Sequence, residues 1–114
     1  MPGSQKIVLK TAERIYPVNI VDIIRCESTS NYTTFYLKDT KKILVSMTLK
    51  EYSDTLLANG FFRTHKSHLI NMSWIDYLLK REGFVIMKDN SKVPVASRKK
   101  QEFITLMGKS FGIR

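Results

Sequence analysis

Phe61-Phe62-Arg63-Thr64-His65-Lys66-Ser67-His68-Leu69-Ile70-Asn71-Met72-Ser73-Trp74 has polar and basic residues in its middle third and apolar residues at both ends. Such a stretch anchors its ends in a core and turns Arg63 to Ser67 outward. An anchored, cationic, hydroxyl-bearing segment suits a phosphate surface, so the rest of the chain is read as a scaffold that presents it.

Short extended runs dominate on either side. Lys6–Thr11 and Glu13–Val18 alternate, with Pro17 confining the second to an edge. Asn19–Asp22 reads as a turn, Ile23–Cys26 as a strand, and Glu27–Asn31 as a polar loop whose short side chains bond their own backbone. Tyr32–Leu37 is β-branched and aromatic, and Lys38–Lys42 is a basic hairpin loop leading into Ile43–Val45. Further strands follow at Ile75–Lys80, Phe84–Lys88 and Lys92–Val95, with Pro94 at an edge or strand end. Thr48-Leu49-Lys50-Glu51 has the form of a capping box, Met47 and Tyr52 are placed as its staple, and Gly60 ends that helix. Ser97–Lys109 reads as a terminal helix with Ser97 as its N-cap and Phe103, Ile104, Leu106 and Met107 facing inward. Phe62 and Trp74 are assigned to the core.

At 114 residues and 43% hydrophobic content the chain suits one domain. Residues 1–5 are read as a linker or a remnant outside the fold, 6–109 as the domain and 110–114 as a tail. Nineteen Lys and Arg against ten Asp and Glu give +9, which favours nucleic acid or an anionic membrane without choosing between them. No apolar run reaches the length of a membrane helix, and the single Cys26 forms no internal disulfide, which fits a cytoplasmic domain.

Catalytic machinery is not visible. Cys26 ends an apolar strand and reads as a small buried hydrophobe. His65 and His68 have a spacing that metal sites use on helices, but in an extended segment positions three apart face opposite ways, and no acidic residue or Cys lies near them in sequence. No metal, cofactor or enzymatic activity is therefore expected. Three polar or basic loops remain, Glu27–Asn31, Arg63–Ser67 and Ala96–Lys100, each at the end of an apolar strand.

From Lys6 to Lys109 the chain resembles LytTR-type DNA-binding domains. The likeness is carried by Asp22-Ile23-Ile24 with Glu27 and Asn31-Tyr32, the Leu49–Leu57 helix, Phe62-Arg63-x-His65-Lys66-Ser67 with Leu69-Ile70-Asn71, and Val95–Lys99. It implies a mainly β fold, an elongated arrangement of about ten short strands in successive small sheets, with one internal and one C-terminal helix. It also implies the output domain of a bacterial transcription regulator of the two-component kind, usually behind a receiver domain, binding double-stranded DNA as two copies on a direct repeat. By position, base contacts fall on Asn31 or its neighbours, Lys66 and Arg98. Phosphate contacts fall on Thr48, Lys50, Ser67, Ser97 and Lys99. Arg63, His65 and Asn71 match the family and either order the loop or touch DNA. The competing class is a basic β module that docks acidic protein or anionic lipid without base preference.

Overall fold

Alternation with a period of two sends successive side chains to opposite faces of a strand, and here both faces of the central sheet meet a core. In the computed structural model, which describes residues 5–111, the strands are β1 (Lys6–Lys10), β2 (Ile15–Asn19), β3 (Ile23–Thr29), β4 (Tyr32–Leu37), β5 (Lys42–Val45), β6 (Phe61–His65), β7 (His68–Asn71), β8 (Ile75–Leu79), β9 (Phe84–Met87) and β10 (Lys92–Pro94). The helices are α1 (Lys50–Leu57) and α2 (Lys100–Phe111). Three antiparallel sheets result: β1-β2, β5-β4-β3-β7-β6 and β10-β9-β8. The expected mainly β fold of about ten short strands with two helices is thus present. Of the expected end segments, residues 1–4 and 112–114 lie outside the described residues, while α2 runs on to Phe111, beyond Lys109.

The five-stranded sheet is the middle layer. One face packs Cys26, Phe35 and Leu69 against Leu9 and Val18 of the β1-β2 hairpin, against Leu49 just before α1 and against Tyr52 and Leu56 within it. The other packs Phe62 and Ile70 against Ile75, Val85, Met87 and Val93 of the second large sheet and against Phe103 of α2. Phe62 and Phe103 stack with ring centroids 5.2 Å apart, while Phe35 meets Tyr52 edge-on at 4.9 Å. Phe62 is core as expected; Trp74 is only half-buried against it. Because β5 and β6 are opposite edges of the sheet, α1 carries the chain across one face from edge to edge.

Two short 3-10 turns make the crossings between sheets, Ile20–Asp22 before β3 and Met72–Trp74 after β7. They are stitched together: Trp74 Nε1 donates to the Val21 carbonyl at 3.0 Å and Asn71 Nδ2 to the Ile23 carbonyl at 2.9 Å. Pro17 and Pro94 sit where no ladder partner is lost, Pro17 in the two-stranded hairpin and Pro94 in the edge strand β10.

Three local expectations change. Strand β3 continues through Glu27-Ser28-Thr29, because β4 pairs with all three residues and leaves only Ser30-Asn31 to turn. No side chain caps α1; Leu49, 2% exposed, sits at the N-cap, and the carbonyls of Thr48 and Leu49 receive the first amides. Burial of Leu49 fixes that start, so the Thr48 hydroxyl has no capping role, although Met47 and Tyr52 do meet, through a hydroxyl-to-sulfur bond. Ser97 is likewise not an N-cap: Ala96 precedes a 3-10 turn, Ser97–Lys99, and α2 starts at Lys100. Gly60 does make the chain reversal after α1, at φ 86°, two positions beyond the C-cap Ala58.

Deleting the Phe103 ring should leave a cavity between α2 and the central sheet. Phe103→Ala is expected to destabilise the domain by about 3–5 kcal/mol, measured as a lowered urea midpoint.

Candidate nucleic-acid interface

Antiparallel register decides which turns share an end of the central sheet. Thr29 pairs with Tyr32, so the Ser30-Asn31 turn closes one end of β3-β4. Glu27 pairs with His68, so β7 begins beside that end, and His65 pairs with His68, so the Lys66-Ser67 turn lies there too. Val45 pairs with Thr33, bringing the β5–α1 connection with Thr48 and Lys50 to the same end. The Ala96 amide donates to the Thr64 carbonyl at 2.8 Å, which draws Ser97, Arg98 and Lys99 alongside. Four connections far apart in sequence therefore converge.

Each turn is braced from behind. Ser30 takes a left-handed φ of 53° and leaves Asn31 exposed. At the second turn the Ser28 amide donates to the Ser67 carbonyl at 2.9 Å, the Ser67 amide to His65 Nδ1 at 3.2 Å, and the Arg63 guanidinium to the Lys66 carbonyl. Arg63 and His65 are engaged within the loop, and the exposed Lys66 projects from it. Thr64 does not face outward with its neighbours: it is 0% exposed, its strand face being turned into the protein. Thr48, Lys50, Ser97 and Arg98 are exposed and Ser67 half-buried. Lys99 is folded back, its ammonium 5.2 Å from the centre of the Phe62 ring and 4.0 Å from Glu102, with 23% of the side chain exposed.

Asn71 belongs elsewhere. It ends β7 at the opposite end of the sheet, is 4% exposed, and spends its amide on the Ile23 carbonyl and the Ser73 amide. Its role is to hold the crossing between sheets.

The two histidines do not point apart, because the segment doubles back as a hairpin and makes them cross-strand partners. Their ring centroids are 5.6 Å apart. Among the described residues, however, no group of three or more His, Cys, Asp or Glu could hold a metal ion. Cys26 is fully buried and burial pushes its thiol far above the usual range, so the thiolate needed of a nucleophile is not formed there.

Sequence reasoning misses Arg25. Its guanidinium lies 3.8 Å over the Tyr36 ring, pairs with Glu27 at 3.0 Å and donates to Ser91 Oγ at 3.2 Å, tying the central sheet to the β9–β10 connection. A lone cation between Ile24 and Cys26 is the available signal.

Residues 13–108 match the family described as the LytTr DNA-binding domain. The chain belongs to that family. A solved LytTr DNA-binding domain of a putative methyl-accepting/DNA response regulator from Bacillus cereus superposes with TM-score 0.77 at 22% identity, over 93% of this chain and 99% of that one, a likeness of fold. Two haem-containing CO-sensing transcriptional regulators of Paraburkholderia xenovorans (strain LB400), RcoM 2 and RcoM 1, are 26% and 25% identical over 107 residues. Those matches cover 90% of this chain and 40% of each relative, so this LytTR domain corresponds to less than half of either regulator. No helix among the described residues is long and apolar enough to cross a membrane.

His68 gives the fold a pH response. Burial holds His68 below its ordinary value, the charges of Arg25 and His65 act in the same direction, and Glu27 opposes them. Between the lowered folded value and the unfolded value of 6.5 the unfolded chain binds more protons, so stability is lost as pH falls through that window. His68→Gln should flatten this part of the stability profile, measured by urea unfolding at stepped pH; a slope identical to wild type would show that His68 does not set it.

Proposed function

We propose that this domain reads double-stranded DNA with its turns, inserted in the major groove, rather than with a recognition helix. The convergence of four braced connections at one end of the central sheet, with Asn31, Lys66 and Arg98 exposed there, supports this reading more than any other single observation. In chemical terms, Arg98 offers two parallel donors to guanine O6 and N7, Asn31 matches adenine N6 and N7, and Lys66 donates to guanine acceptors. Each good base pairing of this kind gives about 1–3 kcal/mol of discrimination. Thr48, Lys50, Ser67 and Ser97 hold phosphates, with Lys99 a lesser contributor because its ammonium is already occupied.

Strand spacing sets the scale of the site. The two hairpin turns are centred two strand positions apart in the order β4-β3-β7-β6, about 10 Å, which is about three base-pair steps at ~3.4 Å each. One domain thus covers a short half-site, and two copies on a direct repeat, with the duplex bent between them, supply the remaining specificity. The biological role that follows is output domain of a cytoplasmic bacterial transcription regulator, joined to a receiver of a two-component system. The named relatives are transcriptional regulators that sense CO, which supports regulation of transcription and leaves the signal open to the unit attached.

The test is selection of sites from random duplex oligonucleotides, followed by binding of variants. Arg98→Ala should relax preference at one base position. Lys50→Ala should weaken all sequences alike and reduce the slope of log affinity against log salt by about one. Equal competition by heparin, random DNA and the selected site would instead identify a basic docking module without base preference.

A further inference from the structure

We propose that Met47 is a specificity residue that reads the 5-methyl group of one thymine, a contact that rests on the DNA-reading function above. Met47 lies in the β5–α1 connection, immediately before Thr48 and three residues before Lys50, at the end of the sheet where the turns converge. It is 41% exposed. An apolar side chain among hydroxyls and ammonium groups contributes nothing to a phosphate contact, whereas the thymine methyl is the one apolar feature on a base edge in the major groove.

This side chain is tethered rather than free. The Thr33 hydroxyl donates to the Met47 carbonyl at 2.7 Å, and the Tyr52 hydroxyl donates to its sulfur at 3.3 Å. Tyr52 is itself fixed by its edge-on contact with Phe35 and by burial in the core. A methionine ordinarily wanders through three rotatable bonds; holding both its backbone and its sulfur removes most of that freedom before any ligand arrives. The residue nonetheless keeps 41% of its surface exposed, beside the residues proposed to grip the backbone.

Thymine-to-deoxyuridine replacement deletes only the methyl group and so isolates the contact. Each thymine of the duplex selected by the wild-type protein is replaced singly, and affinity is measured by fluorescence anisotropy for the wild type and for Met47→Ala, Met47→Leu, Met47→Gln and Tyr52→Phe. One thymine should lose about three- to fivefold in affinity for the wild type on replacement, the order expected for burying one methyl group. Met47→Leu should keep that sensitivity, Tyr52→Phe should blunt it, and Met47→Ala should bind the site more weakly and be indifferent at that position. Met47→Gln, close in length and still able to accept from Tyr52, should be equally indifferent and gives the readout if the alanine variant folds poorly. A Met47→Ala or Met47→Gln protein with the deoxyuridine profile of the wild type, or a wild type indifferent at every thymine, would overturn the contact and leave DNA reading intact. A wild type with no preferred site would bring down both.

Discussion

Over β3, β7 and β6 the central sheet is buried on both faces, and the register of those strands therefore has little freedom. Cys26, Phe35 and Leu69 fill one core while Phe62 and Ile70 fill the other. Slipping β7 by one residue along β3 would drive each set into the wrong core and bring polar neighbours with it. The positions of the Ser30-Asn31 and Lys66-Ser67 turns at the sheet end follow from that register.

The two ends of the sheet divide the work. At one end, Asn71 and Trp74 hold the paired 3-10 crossings to the carbonyls of Ile23 and Val21, so polar side chains there are consumed internally. At the other, the bracing is done largely by backbone groups: Ser28 to Ser67 and Ala96 to Thr64. Backbone bracing leaves side chains unspent. Where side chains do take part, as with Arg63 and His65, they secure the turn on which Lys66 stands.

Much of this is legible in the sequence, and the failures share a cause. Strand alternation, turn residues and the spacing of Leu49, Tyr52, Leu56 and Leu57 are local, and they yield the strands, the internal helix and the polar turns, although Leu57, expected on the inward face of that helix, is exposed. What they miss depends on a partner distant in the chain. Glu27-Ser28-Thr29 has loop-like side chains but is strand because β4 and β7 offer it ladders on both sides. Thr48 has the right sequence for a cap and loses the role because Leu49 is drawn into the core. Setting His65 and His68 on opposite faces treats a hairpin as a continuous strand. Lys99 falls among the phosphate contacts by its place in the motif, though Phe62 and Glu102 compete for its ammonium. Asn71 matches a motif in which Arg63, His65, Lys66 and Ser67 form the turn, while its own position at the far end of β7 is visible only in the pairing.

A loop-borne interface normally carries an entropic penalty, because flexible segments must be ordered when the ligand binds. Here two-residue turns leave little backbone to order: Ser30-Asn31 and Lys66-Ser67 are closed by paired residues on either side, and the third loop is fixed at Ala96 by its bond to Thr64. Binding then needs to restrain chiefly the side chains that touch the partner. In the proposed mode of binding, a rigid sheet end of this kind would obtain from a set of short turns the preorganisation that a helix in the major groove obtains from its own hydrogen bonds, with contacts drawn from four separate parts of the chain.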